Sequence, residues 1–163
     1  MLRKGKEENV QLCVYVDGHC VVDLYGTAIG DESYNPDTLQ NIFSSGKSIG
    51  AVVMGILHSK GLFQFEDKVA TYWPEFAKNG KEEVRICDVL RHEAGLAGFP
   101  SSLVPSLDDC LPASIKLNKV GEYIEKQELH FPTYKDSDSK REYHAMTRGM
   151  ILNEIIRRLD PQV

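Results

Sequence analysis

The sequence lacks the marks of several protein classes. The apolar run at residues 52–57 is far shorter than the roughly 20 residues that a membrane-spanning helix needs. The first ten residues, MLRKGKEENV, have no apolar core of a secretory signal, and their acidic Glu7 and Glu8 are unlike a transit peptide. These absences predict an intracellular, cytoplasmic protein without a membrane span.

A surplus of basic charge is also lacking, since the formal net charge is -5. Bulk binding of nucleic acid needs a basic surface, so the sequence predicts no nucleic-acid partner. The four cysteines, Cys13, Cys20, Cys87 and Cys110, share no metal-ligand or disulfide-rich spacing. They are predicted to be reduced, mostly buried thiols, and no metal or organic cofactor is expected.

What is present is the composition of a soluble globular domain. Of the 163 residues, 42% are hydrophobic and 26% are charged. We predict one domain over residues 1–163, with residues 1–10 as a flexible tail. Regular elements of both kinds are expected within it, which makes the fold class α/β (α+β).

The first element is a β-hairpin. Residues 12–16 and 19–24 are β-prone, and Asp17-Gly18 between them favours a type I′ turn. Strict alternation places Val14 and Val21 on one face, and Cys13 and Val22 on the other, so both faces are expected to be apolar and covered.

Four helical segments follow. From Ser44 the apolar residues recur at helical spacing as far as Leu57, and Gly61 is a natural stop, which predicts a central buried helix. A short helix is expected at residues 84–91 and another near residues 119–128. A last amphipathic helix begins near Met146 and ends before Pro161. The segments between them, above all residues 99–141, are predicted to be long loops.

The stretch "IFSSGKSIGAVV", residues 42–53, allows two chemical interpretations. Gly46-Lys47-Ser48 resembles the end of a P-loop, but that pattern needs a glycine where Asn41 stands. The second interpretation is a serine nucleophile: Ser44 is paired with Lys47, which lies three residues on and therefore on the same helix face. A cation in the first helical turn opposes the macrodipole, so capping alone does not explain Lys47. A lysine so placed can be neutral and accept the serine proton.

Four longer stretches resemble one known family. They are "VYVDGHCVVDLYG", "TLQNIFSSGKSIGAVVMGILHSKGLFQFEDKVATYWPEF", "VRICDVLRHEAGLAGF" and "YHAMTRGMILNEIIRRLDP". In this order they are similar to the serine beta-lactamase-like family of class C beta-lactamases, related esterases and penicillin-binding proteins. Within it the sequence looks most like the animal members, such as the mitochondrial beta-lactamase-like serine protease. The resemblance implies a beta-lactamase/transpeptidase-like fold and adds the mitochondrion as an alternative location.

The resemblance also implies the catalytic residues. Ser44 is expected to be the nucleophile and to supply one oxyanion N–H, and Lys47 to be a base or part of the proton network. Tyr143 corresponds to the tyrosine of the family's Tyr-x-Asn motif and is expected to be the general base. His144 is expected either to contact substrate or to face solvent, whereas His92 is expected to order its loop. The implied substrate is a small ester, an amide or a peptide.

Three departures from the family pattern stand out. Ala145 occupies the position of the Asn in Tyr-x-Asn, and no Pro-Gly turn precedes Tyr143. Family members are usually more than twice as long, and the sequence to Val163 holds no Lys-Thr-Gly or His-Thr-Gly strand. An incomplete domain is therefore expected, with an open sheet edge that self-association or a partner protein would cover.

Two hypotheses about function follow, with a third behind them. The first is a beta-lactamase-related serine hydrolase that is truncated and therefore inactive or only weakly active. The second is a non-catalytic interaction or scaffold protein, or an isoform with that role. A P-loop nucleotide binder remains as the third.

Overall fold

The computed structural model describes residues 7–130 and 141–159. The chain divides into two compact units, Met1–Ile42 and Phe43–Val163. A single domain over the whole chain stays a prediction. Within the described residues, no helix has both the length and the apolar character needed to cross a bilayer.

The first unit contains the predicted hairpin. Strand β1 (Asn9–Val16) pairs antiparallel with β2 (His19–Thr27). Asp17 and Gly18 have φ angles of 49° and 80°, as a type I′ turn requires. Asn9 and Val10 of the predicted tail already belong to β1, and residues 1–6 lie outside the described part, so a flexible tail stays a prediction.

A β-bulge changes the faces of this hairpin. The register slips after Val14, so that Val14 pairs with Val22 but Tyr15 pairs with Cys20, which leaves Val21 unpaired. Directly paired residues share a face, so Val14 and Val22 lie together and the prediction of two apolar faces is wrong. One face is apolar, with Val10, Leu12, Val14, Val16, Val22 and Leu24. The other is mostly polar, with Asn9, Gln11, Cys13, Tyr15, Cys20, Asp23, Tyr25 and Thr27.

The second unit opens with the helix that follows the Ser44 motif. A 3-10 turn (Phe43–Gly46) leads into α1 (Lys47–Ser59). As predicted, the helix stops at Gly61, which has a φ of 74°. The Gly61 N–H donates to His58 O at 2.8 Å and the Leu62 N–H to Leu57 O at 3.2 Å, which is the Schellman pattern.

Helix α1 is buried on one face only. Met54 and Leu57 are buried, whereas Ile49, Val52 and Ile56 are 60%, 62% and 50% exposed. The packed face instead includes Gly50, where an added Cβ would lie 4.0 Å from Leu152. The missing side chain at Gly50 allows this face, rather than the more apolar one, to approach the helix that carries Leu152.

Five further helices follow. They are α2 (Val69–Tyr72), α3 (Ile86–Leu90), α4 (Pro112–Lys116), α5 (Lys119–Lys126) and α6 (Thr147–Leu159). Of these, α2 and α4 lie in segments that were expected to be loops. Segments α3, α5 and α6 match the predictions within a few residues. Further 3-10 turns lie at Pro74–Ala77, Ser101–Leu103 and Asp108–Cys110, in segments that were expected to be irregular.

Arg148 ties three helices together beneath the site described below. It is 5% exposed, and its Nη1 donates to Lys47 O at 3.1 Å. Its Nε donates to Leu90 O at 3.3 Å. One side chain at the start of α6 therefore holds the first residue of α1 and the last residue of α3, which fixes the start of α1 against the start of α6.

Candidate active site

Three predicted side chains meet where α1 and α6 begin. The Tyr143 hydroxyl donates to Ser44 Oγ at 2.5 Å, and Lys47 Nζ donates to the same oxygen at 3.4 Å. Lys47 Nζ also lies 5.0 Å from the centre of the Tyr143 ring. Almost a hundred residues separate Tyr143 from Ser44 in the sequence, so this meeting is a product of the tertiary fold.

The 3-10 turn explains how Ser44 reaches Lys47. Side chains three residues apart are eclipsed in a 3-10 turn, which places the Ser44 hydroxyl in line with the Lys47 amine. The preceding Phe43 has a φ of 44°, in the left-handed region that bulky residues rarely adopt. Backbone of this kind is concentrated at functional sites, where the surrounding fold maintains it. The helix expected from Ser44 thus begins three residues later, at Lys47, and Ser44 lies in the turn before it.

His92 holds the segment around Tyr143. Its ring lies 4.9 Å from the Tyr143 ring, centre to centre. Its carbonyl accepts from the Glu142 N–H and its Nδ1 from the His144 N–H, both at 3.0 Å. The expectation that His92 orders its own loop therefore missed a contact with the tyrosine itself, which no sequence pattern indicated.

His144 does not face solvent. It is completely buried, and its Nε2 accepts from the Leu96 N–H at 3.0 Å while its Nδ1 contacts Glu142 O at 2.5 Å. Burial lowers the pKa of His144, which favours the neutral ring that can accept at Nε2 and donate at Nδ1. The solvent-facing alternative is wrong, and the ring instead fastens the loop around Leu96. Contact with substrate stays a prediction.

The electrostatics of the site act on Tyr143. The hydrogen bond to Ser44, the hydrogen bond with Lys47 and the positive charge of Lys47 together lower the pKa of Tyr143 below its ordinary value. The side chain is 53% exposed, so a substrate and water can both reach it. A tyrosine with a lowered pKa beside a serine hydroxyl is an arrangement that can accept a proton.

Ala145 contributes through its backbone. Lys47 Nζ donates to the Ala145 carbonyl oxygen at 2.7 Å. Because the acceptor is a backbone carbonyl, any residue at position 145 could hold Lys47 in this way, and no side-chain amide is needed there. The side chain of Ala145 itself offers no polar group beside the site.

An apolar groove adjoins Lys47 between α1 and α6. It has a volume of about 350 Å³, within the range of small-molecule sites. It is lined by Phe43, Gly46, Lys47, Gly50, Arg148, Gly149, Leu152, Asn153 and Ile156.

Similar proteins of known structure include enzymes and a penicillin-binding protein homologue. The structure superposes on a family VIII carboxylesterase with a TM-score of 0.80 and 30% identity, over 99% of this chain and 42% of that one. A penicillin-binding protein homologue from Caulobacter crescentus superposes with a TM-score of 0.79 and 28% identity, over 98% of this chain and 43% of that one. EstA from Arthrobacter nitroguajacolicus Rue61a superposes with a TM-score of 0.73 and 28% identity, over 93% of this chain and 37% of EstA. These likenesses confirm the predicted beta-lactamase/transpeptidase-like fold.

The sequence comparison agrees. The esterase/beta-lactamase LipL of Mycobacterium tuberculosis is 31% identical over 149 residues, which is 90% of this chain and 32% of LipL. The chain thus spans about a third of that relative's length. A closer likeness to the animal members stays a prediction. The model of the beta-lactamase family matches residues 1–162, and the chain belongs to that family.

Proposed function

We propose that this chain carries the nucleophile half of a serine hydrolase that transfers acyl groups through Ser44. One observation carries the proposal: Ser44 Oγ accepts hydrogen bonds from both Tyr143 and Lys47. A serine hydroxyl is a weak nucleophile until a neighbouring group removes its proton, and both neighbours can do so when deprotonated. Esterase relatives support the reaction class.

The proposed reaction has two stages. Tyr143, as the phenolate, takes the proton from Ser44 Oγ while that oxygen attacks the substrate carbonyl. The positive charge of Lys47, 5.0 Å from the ring centre, stabilises the phenolate before the transfer. The tetrahedral intermediate then expels the alcohol or amine, which takes the proton back from Tyr143. In the second stage water attacks the acyl-serine ester while Tyr143 takes a proton from the water. Tyr143 returns that proton to Ser44 Oγ as this oxygen leaves, and the acid is released.

We propose esters as the first substrate class, with amides and peptides as the alternatives. The groove beside Lys47 is mostly apolar and suits a hydrophobic acyl or alcohol group. Ala145 lacks the amide that would hydrogen-bond a substrate, which weakens the case for recognising a polar amide.

A non-catalytic interaction protein is the second candidate. The exposed apolar side of α1, with Ile49, Val52 and Ile56, favours it because such residues are normally covered. On this hypothesis the three site residues are inherited, and the chain acts by binding another protein or a second copy of itself. The P-loop hypothesis has less support, because Lys47 is committed to Ser44 and Ala145 rather than free for a phosphate.

Covalent labelling separates these candidates. We expect a fluorophosphonate probe to add once per chain, and peptide mass spectrometry to place the adduct on Ser44 rather than on the neighbouring Ser45 or Ser48. Ser44→Ala sets the background, and Ser45→Ala is the matched control that should label like the unmodified chain. An unlabelled chain that melts cooperatively and is compact by size-exclusion chromatography would exclude the hydrolase and favour the interaction protein.

The pH profile of labelling tests the role of Tyr143. Because the pKa of Tyr143 is lowered from its ordinary 10.0, the phenolate becomes populated at lower pH than in a free tyrosine. The labelling rate should therefore rise with pH and level off with a midpoint below 10.0. A rate independent of pH, or a midpoint above that of free tyrosine, would show that another group takes the proton.

A further inference from the structure

The polar face of the hairpin brings together three donor side chains that acyl transfer does not use. Cys13 Sγ and Cys20 Sγ lie 3.6 Å apart, and Asp23 is the direct cross-strand partner of Cys13. One donor atom from each residue lies within 4.8 Å of the other two. All three side chains are exposed, so the prediction of mostly buried cysteines is wrong for this pair.

The bulge creates this group. With a regular register continued past the Val14–Val22 pair, Cys20 would lie opposite Val16 and point to the apolar face. Because Val21 is left unpaired, Cys20 lies opposite Tyr15 instead and shares the face of Cys13. Bulges commonly re-aim a side chain in this way. Pattern reasoning did not reach this group, since the spacing of the two cysteines is not that of a known metal motif.

We propose that Cys13, Cys20 and Asp23 bind a thiophilic divalent cation such as Zn²⁺. Two tetrahedral Zn–S bonds of about 2.3 Å place their sulfur atoms about 3.8 Å apart, close to the distance seen between Cys13 and Cys20. A disulfide needs about 2.05 Å, so it would require the two strands or side chains to move. Asp23 supplies the third ligand, and water fills the fourth position, as in open zinc sites.

The surroundings suit a cation. Binding releases the two thiol protons and leaves two thiolates and a carboxylate, whose negative charges the cation offsets. The Asp17-Gly18 turn already holds the two strands together, so little chain entropy is lost when the ligands close on the metal. The site lies in the Met1–Ile42 unit, and the proposal does not rest on the proposed acyl transfer.

Titration of the reduced chain with Co²⁺ tests the proposal. We expect a near-ultraviolet sulfur-to-cobalt charge-transfer band that saturates at one equivalent per chain. Cys13→Ser and Cys20→Ser should each lose the band, and Asp23→Asn should keep it with weaker binding. Cys87→Ser and Cys110→Ser are the matched controls, because each removes a half-buried cysteine of the other unit and should leave the band unchanged.

A second measurement uses the unmodified chain and does not depend on how the variants fold. Zn²⁺ should protect Cys13 and Cys20 from iodoacetamide, as mapped by peptide mass spectrometry, while Cys87 and Cys110 react at unchanged rates. The proposal is overturned if Zn²⁺ gives no protection, or if the Co²⁺ band survives in Cys20→Ser. It is also overturned if the reduced chain binds no metal and the pair simply oxidises in air to a disulfide, detected as a loss of two hydrogen masses.

Discussion

Tyr143→Phe is expected to lower the rate of Ser44 labelling by about 10²–10⁴-fold, the usual contribution of a positioned acid–base group. The substitution removes the hydroxyl that lies 2.5 Å from Ser44 Oγ. It keeps the ring, and with it the packing on His92 and the contact with the Lys47 amine. The effect can therefore be assigned to proton transfer rather than to a collapsed site. The measurement is the second-order rate constant for the fluorophosphonate probe.

Tyr123→Phe is the matched control. The Tyr123 hydroxyl donates to Asp109 at 3.3 Å, away from the residues that contact Ser44, so its removal should leave the labelling rate unchanged. If Tyr143→Phe labels within a few-fold of the unmodified chain, Lys47 is the base. Lys47→Met would then give the large loss, and it would leave the Ala145 carbonyl without its donor.

The local parts of this fold follow from local sequence. Asp17-Gly18 needs no tertiary context to favour a type I′ turn, and Gly61 needs none to end α1. Spacing alone also pairs Ser44 with Lys47, because residues three apart meet in any helical turn. These features depend on φ and ψ preferences within a few residues, which is why pattern reasoning reaches them.

The features that escaped prediction depend on distant partners. Strict alternation placed Val14 and Val22 on opposite faces, since nothing in the residues themselves marks Val21 as a bulge. The burial of His144 depends on the Leu96 N–H, 48 residues away. Tyr143 was singled out only through the family resemblance, because a lone tyrosine carries no local sign of a contact with a serine 99 residues away.

The apolar pattern of α1 shows how tertiary packing overrides hydrophobicity. Ile49, Val52 and Ile56 form the more apolar side, yet the face with Gly50 and Met54 is the one that packs. A position without a side chain lets two helix backbones approach closely, and this can favour packing as much as a large apolar side chain does. The apolar residues of a helix therefore predict that the helix packs against its neighbours, but the neighbouring helix decides which face is buried.

Trp73→Ala is expected to lower the free energy of unfolding by about 3–5 kcal/mol, the typical cost of removing a buried tryptophan. Trp73 is completely buried, and its ring packs 5.2 Å from that of Phe76, centre to centre. The Arg158 guanidinium lies over the ring at 4.2 Å, and the indole N–H donates to Glu125 at 2.9 Å. One side chain thus joins the Pro74–Ala77 turn, α5 and α6.

Two further variants divide this loss into its parts. Trp73→Phe keeps an aromatic ring in the core but removes the indole N–H, so the Glu125 carboxylate loses one of its donors. Trp73→Phe should lower the free energy of unfolding by less than Trp73→Ala. The difference between the two losses measures the contribution of the buried aromatic ring. Leu107→Ala is the control for a large apolar residue that is 89% exposed, and it should change stability by less than about 0.5 kcal/mol.

Urea denaturation followed by far-ultraviolet circular dichroism makes the comparison, since the chain has a single tryptophan and the variants lose its fluorescence. In the unmodified chain that same fluorescence should be blue-shifted and should change with the circular dichroism in one transition, because the buried ring reports on the core directly. A Trp73→Ala chain as stable as Leu107→Ala would mean that the α5–α6 core does not support the fold. The start of α6, where Arg148 holds the Lys47 carbonyl and Tyr143 lies just before the helix, would then need another source of rigidity.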